Sequence, residues 1–277
     1  MALPDEVDFV VKVESGRNLV DMNYTLDTLK GFSATIGAVA DSTLTNNVKA
    51  RSNPADDIRT ELLEAVLGSY VQTFRLKISD PVKAHKFKKM GSSVLSELIT
   101  YYVNEVLHAE QPILTKKASE YIGKLEPVEN KIIQRIHSWV SDMHTISVRK
   151  DYSVKLFRKT EQRSFKMFEV SKQTYGNAFE LTEDVNSIDI EVVISRFNIF
   201  TGNGRLLREH ENATVPFSFA TSYSKIKASY KQSISGNLLA NTAVSDEDRV
   251  NITLRVKPKR NRSGEVVKYV IYEVEPE

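Results

Sequence analysis

The sequence predicts an α+β fold, with an N-terminal mixed strand and helix domain followed by a mainly β C-terminal domain that closes as a small barrel. Three observations predict it. Apolar residues recur at spacings of three and four over much of the chain before Met143. From about Thr145 the period becomes two, as a half-buried strand requires. Beyond residue 187 the order of elements is three strands, a helix and two strands.

Taken in order, Phe9, Val11 and Val13 alternate with Val10 and Lys12, the pattern of a short strand with one buried face. A helix follows, in which Leu26, Leu29, Phe32, Ile36, Val39 and Ala40 form one stripe. Gly31 and Gly37 weaken that helix by roughly 1 kcal/mol each relative to alanine, unless a neighbour packs close enough to use the missing side chains. Between Asp57 and Ser79 the pattern is ambiguous. Leu62, Leu63, Val66 and Leu67 fit a helix, whereas Val71, Phe74, Leu76 and Ile78 fit an extended chain, and a turn at Gly68 and Ser69 favours two strands.

Asp80 before Pro81 is an N-cap and first-turn pair, because the carboxylate accepts from free amides and proline lacks a donor where none is needed. The helix it starts carries the basic run Lys83, Lys86, Lys88 and Lys89, then a wide apolar face from Val94 to Leu107. A helical pair from Pro112 to Met143 breaks near Gly123 and restarts at Pro127, with Ile132, Ile133, Ile136, Trp139, Val140 and Met143 facing inward.

The expected domains are therefore 1–143, an α+β domain with long helices; 144–186, a β-hairpin and polar connector; and 187–277, a small barrel of OB-like or SH3-like type. In the barrel, Ile188, Ile190, Val192 and Ile194 open the first strand, and Thr201-Gly202-Asn203-Gly204 turns it, since glycine and asparagine tolerate positive φ. Strands through Leu206 and through Val215 to Phe219 follow, then a helix from Ser222 to Ser233. Val250 to Val256 and Val266 to Glu275 supply the last two strands.

Composition narrows the function by exclusion. Hydrophobic residues at 41% and charged residues at 27% of 277 fit a globular chain. No stretch approaches the roughly 18 apolar residues of a membrane span, and the opening residues lack a signal-peptide layout, so a mature cytoplasmic protein with no membrane partner is expected. The absence of cysteine removes thiol nucleophiles and thiolate metal sites. The net charge of +2 is unevenly spread: residues 1–80 carry 8 basic and 12 acidic side chains, the rest 30 and 24. A polyanionic partner is expected to prefer the later part.

Histidines at 85, 108, 137, 144 and 210 show no metal-ligand spacing, and His137 and His144, seven apart, read as helix-surface residues rather than a shared site. Phosphate-loop, dinucleotide and serine-hydrolase signatures are missing. A nuclease reading requires Asp184, Asp189 and Glu191 to converge on a cation, against the alternative of a solvated strand face. No cofactor and no enzymatic activity are expected.

The pattern that points to binding is Lys257, Lys259, Arg260 and Arg262, placed in the turn between the last two strands, where an OB-type barrel borders its oligonucleotide face. Arg196 and Arg205 are supporting cations, and Phe197, Phe200 and Tyr269 are candidate stacking platforms. The competing reading is an ordinary basic hairpin tip over a plugged barrel. A second expectation is homo-oligomerisation or docking of a partner protein through the apolar face of Val94 to Leu107, against burial of that face within the chain.

The opening layout, Phe9 to Val13, then Tyr24-Thr25-Leu26 and Leu29-Lys30-Gly31-Phe32-Ser33, then Gly68-Ser69-Tyr70, resembles an uncharacterised bacterial protein family. That resemblance implies a setting among mobile-element and phage-defence genes. Phe197-Asn198 to Thr201-Gly202-Asn203-Gly204-Arg205-Leu206 resembles the first hairpin of a small nucleic-acid-binding barrel of the cold-shock type, without that type's run of stacking aromatics. Neither resemblance carries a catalytic residue to this chain. The function expected is a non-enzymatic protein that binds nucleic acid or a nucleoprotein partner through its C-terminal barrel; the alternative is a structural or assembly subunit acting through its helices.

Overall fold

The computed structural model describes residues 6–16, 18–49, 51, 56–66, 70–209 and 211–275. The turn expected at Gly68 and Ser69, and His210, lie outside them. Two compact units divide the chain, Met1–Tyr175 and Gly176–Glu277.

In the first unit, β1 (Glu6–Val13) is the middle strand of an antiparallel five-stranded sheet. Its order is β2-β3-β1-β4-β5, with β2 Ile58–Val66, β3 Tyr70–Ile78, β4 Val154–Lys159 and β5 Ser164–Val170. The two-residue period of β1 sends Val7, Phe9, Val11 and Val13 into the core, where Phe9 stacks on Phe74 with ring centres 5.7 Å apart. Its other face is charged. Arg75 holds Asp8 through two bonds of 2.7 and 3.0 Å, and Glu14 lies 3.0 Å from both Lys12 and Lys155, which the register sets opposite each other.

Helices α1 (Met22–Thr45), α2 (Pro81–Met90), α3 (Ser92–Leu107), α4 (Lys116–Leu125), α5 (Glu129–Met143) and α6 (Thr145–Lys150) complete this unit's core. Asp21 caps α1 and Asp80 caps α2, each through its carboxylate. The inward stripe of α1 runs through Thr25, Thr28, Phe32, Ile36 and Val39, whereas Leu26, expected in it, is exposed. Thr28 explains the rotation, since its hydroxyl accepts from the Ile146 amide at 3.1 Å and fixes α1 against α6. Packing uses Gly31 as anticipated, because α5 passes over it. The apolar face of α3 is buried, with Leu95, Leu98, Ile99, Tyr102 and Val103 fully covered. That face therefore offers no docking surface.

The expected break near Thr145 is not where the chain divides. β4 pairs with β1 from Val13 opposite Val154 to Asp8 opposite Lys159, so the hairpin assigned to 144–186 completes the first sheet. Local periodicity identifies a strand but not the sheet it joins, and β1 had a free edge that only a later strand could cover. The polar stretch read as a connector instead forms α7 (Lys172–Phe179), in which the division falls, and β6 (Thr182–Glu183).

In the second unit β7 (Ile188–Phe197), β8 (Gly204–Arg208) and β9 (Val215–Phe219) form an antiparallel meander. β9 runs parallel to β11 (Val266–Val274), β11 is antiparallel to β10 (Ile252–Arg260), and β10 returns to β7. These five strands close a barrel, and α8 (Ala228–Ala240) lies between its third and fourth strands. This is the order of an OB-like barrel. The helix is tied in by Asn237, whose side chain accepts from the Ile194 amide and donates to the Val250 carbonyl, each at 2.8 Å. Ile234 completes the core among Ile194, Leu206, Phe217, Leu254 and Ile271.

Candidate nucleic-acid interface

The four cations expected in the last turn are distributed differently. β10 continues to Arg260, so Lys257, Lys259 and Arg260 stand on the strand and Arg262 alone lies in the turn. Pro258, which reads as the end of a strand, keeps its carbonyl in use by accepting from the Asp184 amide at 2.9 Å.

Segment 180–184 supplies carboxylates to three of these cations. Lys259 lies 3.6 Å from Glu183, Arg260 3.0 Å from Asp184, and Arg262 holds Glu180 through two nitrogens, each at 2.9 Å. The Lys257 ammonium instead lies over the Tyr272 ring, 5.2 Å from its centre. Each exposed ion pair contributes only about 0–1 kcal/mol to stability. Their larger effect is electrostatic, since a paired cation releases fewer counterions on meeting a phosphate.

The turn itself is built on Asn261. Its side-chain oxygen accepts from the amides of Ser263 and Glu265 at 3.1 and 3.0 Å, while its amide group donates to Asn177 at 2.7 Å. The turn between β7 and β8 is organised the same way. Asn198 accepts from the amides of Phe200 and Thr201 at 2.8 and 3.1 Å, and Gly202 takes φ +75° where a Cβ would meet the Tyr223 ring at 2.6 Å. This fixed turn presents Ile199 and Phe200 to solvent, the latter 51% exposed.

The other expected contacts fall on both sides of the barrel wall. Arg205 is 5% exposed and is spent on Thr214, donating to its hydroxyl and its carbonyl at 2.7 Å each. Arg196, half-buried, is its register partner. Phe197 and Tyr269 are core residues, Phe197 stacking on Phe217 with ring centres 6.3 Å apart, so neither is a platform. Tyr272 takes the outer position instead. The register moves from Arg255 opposite Glu273 to Val256 opposite Ile271, which leaves Tyr272 as the extra residue of a bulge. Alternation from the inward Tyr269 and Ile271 already turns it outward, and the bulge returns Val274 rather than Glu273 to the core.

The carboxylates of the nuclease reading do not converge. Asp189 is held by Arg255 through bonds of 2.9 and 3.1 Å, and Asp184 by Arg260. Hydrogen bonds from Arg255 also lower the Asp189 pKa. Among the described residues no cluster of three metal-binding side chains occurs. His144, expected at a helix surface, is fully buried, with Nδ1 2.7 Å from the Val140 carbonyl and Nε2 2.9 Å from the Thr174 hydroxyl. Burial pushes its pKa down to about 4.

The first unit contains a cavity of about 350 Å³ beside α1 and β2, lined by Ser33, Gly37, Asp41, Lys49, Asp56 and Thr60 among others. Asp41 closes one side of it, 3.0 Å from Lys83 and 3.4 Å from Lys49. The signal in the sequence was a single acid directly after the apolar stretch from Ile36 to Ala40. No protein-family model, curated protein or solved structure matches the chain. Among the described residues, no helix is long and apolar enough to cross a membrane.

Proposed function

We propose that this chain is a non-enzymatic binding protein whose OB-like barrel engages nucleic acid or a nucleoprotein partner. The strand order carries the reading. In barrels of this type the face of the second and third strands, bordered by the first and last hairpin turns, takes oligonucleotides. Here those turns are 198–203 and 261–265, each fixed by one asparagine, and the first displays Phe200 as a ring available for stacking. Lys257 and Tyr272 extend the outer surface of the last two strands. A setting beside mobile elements or phage defence, as the family resemblance implies, agrees with such a partner.

The test is binding of single-stranded and duplex oligonucleotides at low salt. Joint replacement of Phe200 and Lys257 by alanine is expected to weaken binding about tenfold or more, since base stacking contributes about 1–3 kcal/mol per base. Undiminished binding removes the barrel from the interface. The alternative assembly role through α3 has no surface to act from, because its apolar face is buried.

A further inference from the structure

A positive surface whose lysines meet carbonyls rather than carboxylates lies in the first unit, on elements that the barrel reading does not use. Helix α2 contains four lysines and no acid. Lys83 turns inward to Asp41 and Asp57, but Lys86 and Lys89 are exposed. The fold then brings a second pair beside them, since Lys117 in the first turn of α4 donates to the Lys89 carbonyl at 2.6 Å, with exposed Lys116 next to it. Lys86 likewise donates to a carbonyl, that of Leu44, at 2.9 Å. A carbonyl partner leaves an ammonium its full charge, unlike the carboxylates that hold Lys259, Arg260 and Arg262. Glu97, on the neighbouring α3, is engaged by the Thr115 amide and hydroxyl at the start of α4.

The placement of Lys116 and Lys117 is locally unfavourable. A helix N-terminus carries the positive end of the macrodipole, so cations in its first turn are repelled while anions are attracted. Lys88 and Lys89, in the last turn of α2, sit where the dipole favours them. One helix end therefore stabilises its lysines and the other tolerates them at a cost, a local conflict of the kind expected where function is served.

We infer that Lys86, Lys89, Lys116 and Lys117 form a surface that contacts the phosphate backbone of a nucleic acid without reading its bases. Regularly spaced phosphates relieve both the mutual repulsion of the lysines and the conflict at the start of α4. This surface shares a partner class with the barrel reading but none of its residues, so each can fail alone.

The experiment is a salt titration of full-length protein binding to a 20-base-pair duplex, with anionic vesicles as a second probe. In the variant K86A/K89A/K116A/K117A, duplex affinity at low salt is expected to fall at least tenfold, and the slope of log K against log salt to flatten by about 3.6 units, at roughly 0.9 per phosphate contact. The milder K116A/K117A should flatten it by about 2 while melting no lower than the parent, because it removes cations from a helix N-terminus. An unchanged slope overturns the inference, and so does binding to vesicles without binding to the duplex. If F200A/K257A abolishes duplex binding while the lysine variants leave it intact, the barrel reading stands and this one falls.

Discussion

Gly31 lies under the backbone of α5, where an added Cβ would come within 2.5 Å of the Met143 amide nitrogen. Helix-on-helix packing this close requires glycine, which offsets the low helix propensity of that residue. Gly31→Ala is expected to cost about 1–3 kcal/mol through overpacking against backbone that cannot move aside. Gly37, six residues on in the same helix, has nothing within 4 Å of its would-be Cβ, so Gly37→Ala is expected to stabilise by about 0.5–1 kcal/mol. Urea melts of the two variants, shifting in opposite directions, check the pair.

His144 makes stability depend on pH. Folded, its imidazole stays neutral to about pH 4, whereas in the unfolded chain it takes a proton near 6.5. The unfolded state therefore binds more protons between these values, and stability is lost as pH falls from 6.5 toward 4, by up to about 3 kcal/mol. Above pH 6.5 the contribution is fully present. Denaturant melts at pH 7 and pH 5 should show this loss in the parent and a flatter dependence in His144→Gln.

Asn237 is the polar staple between α8 and the barrel. Asn237→Ala leaves the buried Ile194 amide without its acceptor and removes a donor from the Val250 carbonyl. The expected loss is about 2–4 kcal/mol, from an unsatisfied buried donor together with a broken network. Thermal unfolding of the variant, compared with a nearby surface control, measures it.

The carboxylates of segment 180–184 hold Lys259, Arg260 and Arg262 in ion pairs. If this face binds nucleic acid, replacing Glu180, Glu183 and Asp184 by their amides frees Lys259, Arg260 and Arg262 and should raise oligonucleotide affinity about tenfold or more at low salt, with a steeper salt dependence. A fluorescence titration across two salt concentrations is sufficient. Equal affinity for parent and triple variant would show that the paired cations serve only to hold β6 against β10.

Several features were legible residue by residue. The alternation of Ile188 to Ile194 and of Val250 to Val256 marked strands that the fold pairs, Ile252 opposite Val192. Asp80 with Pro81 marked the start of α2, where the cap bond is 2.7 Å. The candidate contacts were less legible because they depend on which way a side chain turns. Tyr269 and Tyr272 are three residues apart, so alternation along β11 puts one in the core and the other outside, but no local pattern says which face is the core. Arg260 and Arg262 looked free until a segment some 80 positions earlier brought their partners.

By itself the sequence determined the types of most elements and the barrel's strand and helix order, because those follow from local periodicity, caps and turn residues. Tertiary structure alone decided that β4 and β5 close the first sheet, that the face of α3 is buried, and that Lys259, Arg260 and Arg262 of the barrel meet carboxylates while Lys86 of α2 and Lys117 of α4 meet carbonyls. The physical reason is common to all three. Sheet membership, burial and charge neutralisation depend on residues distant in the chain, whose approach no local pattern records.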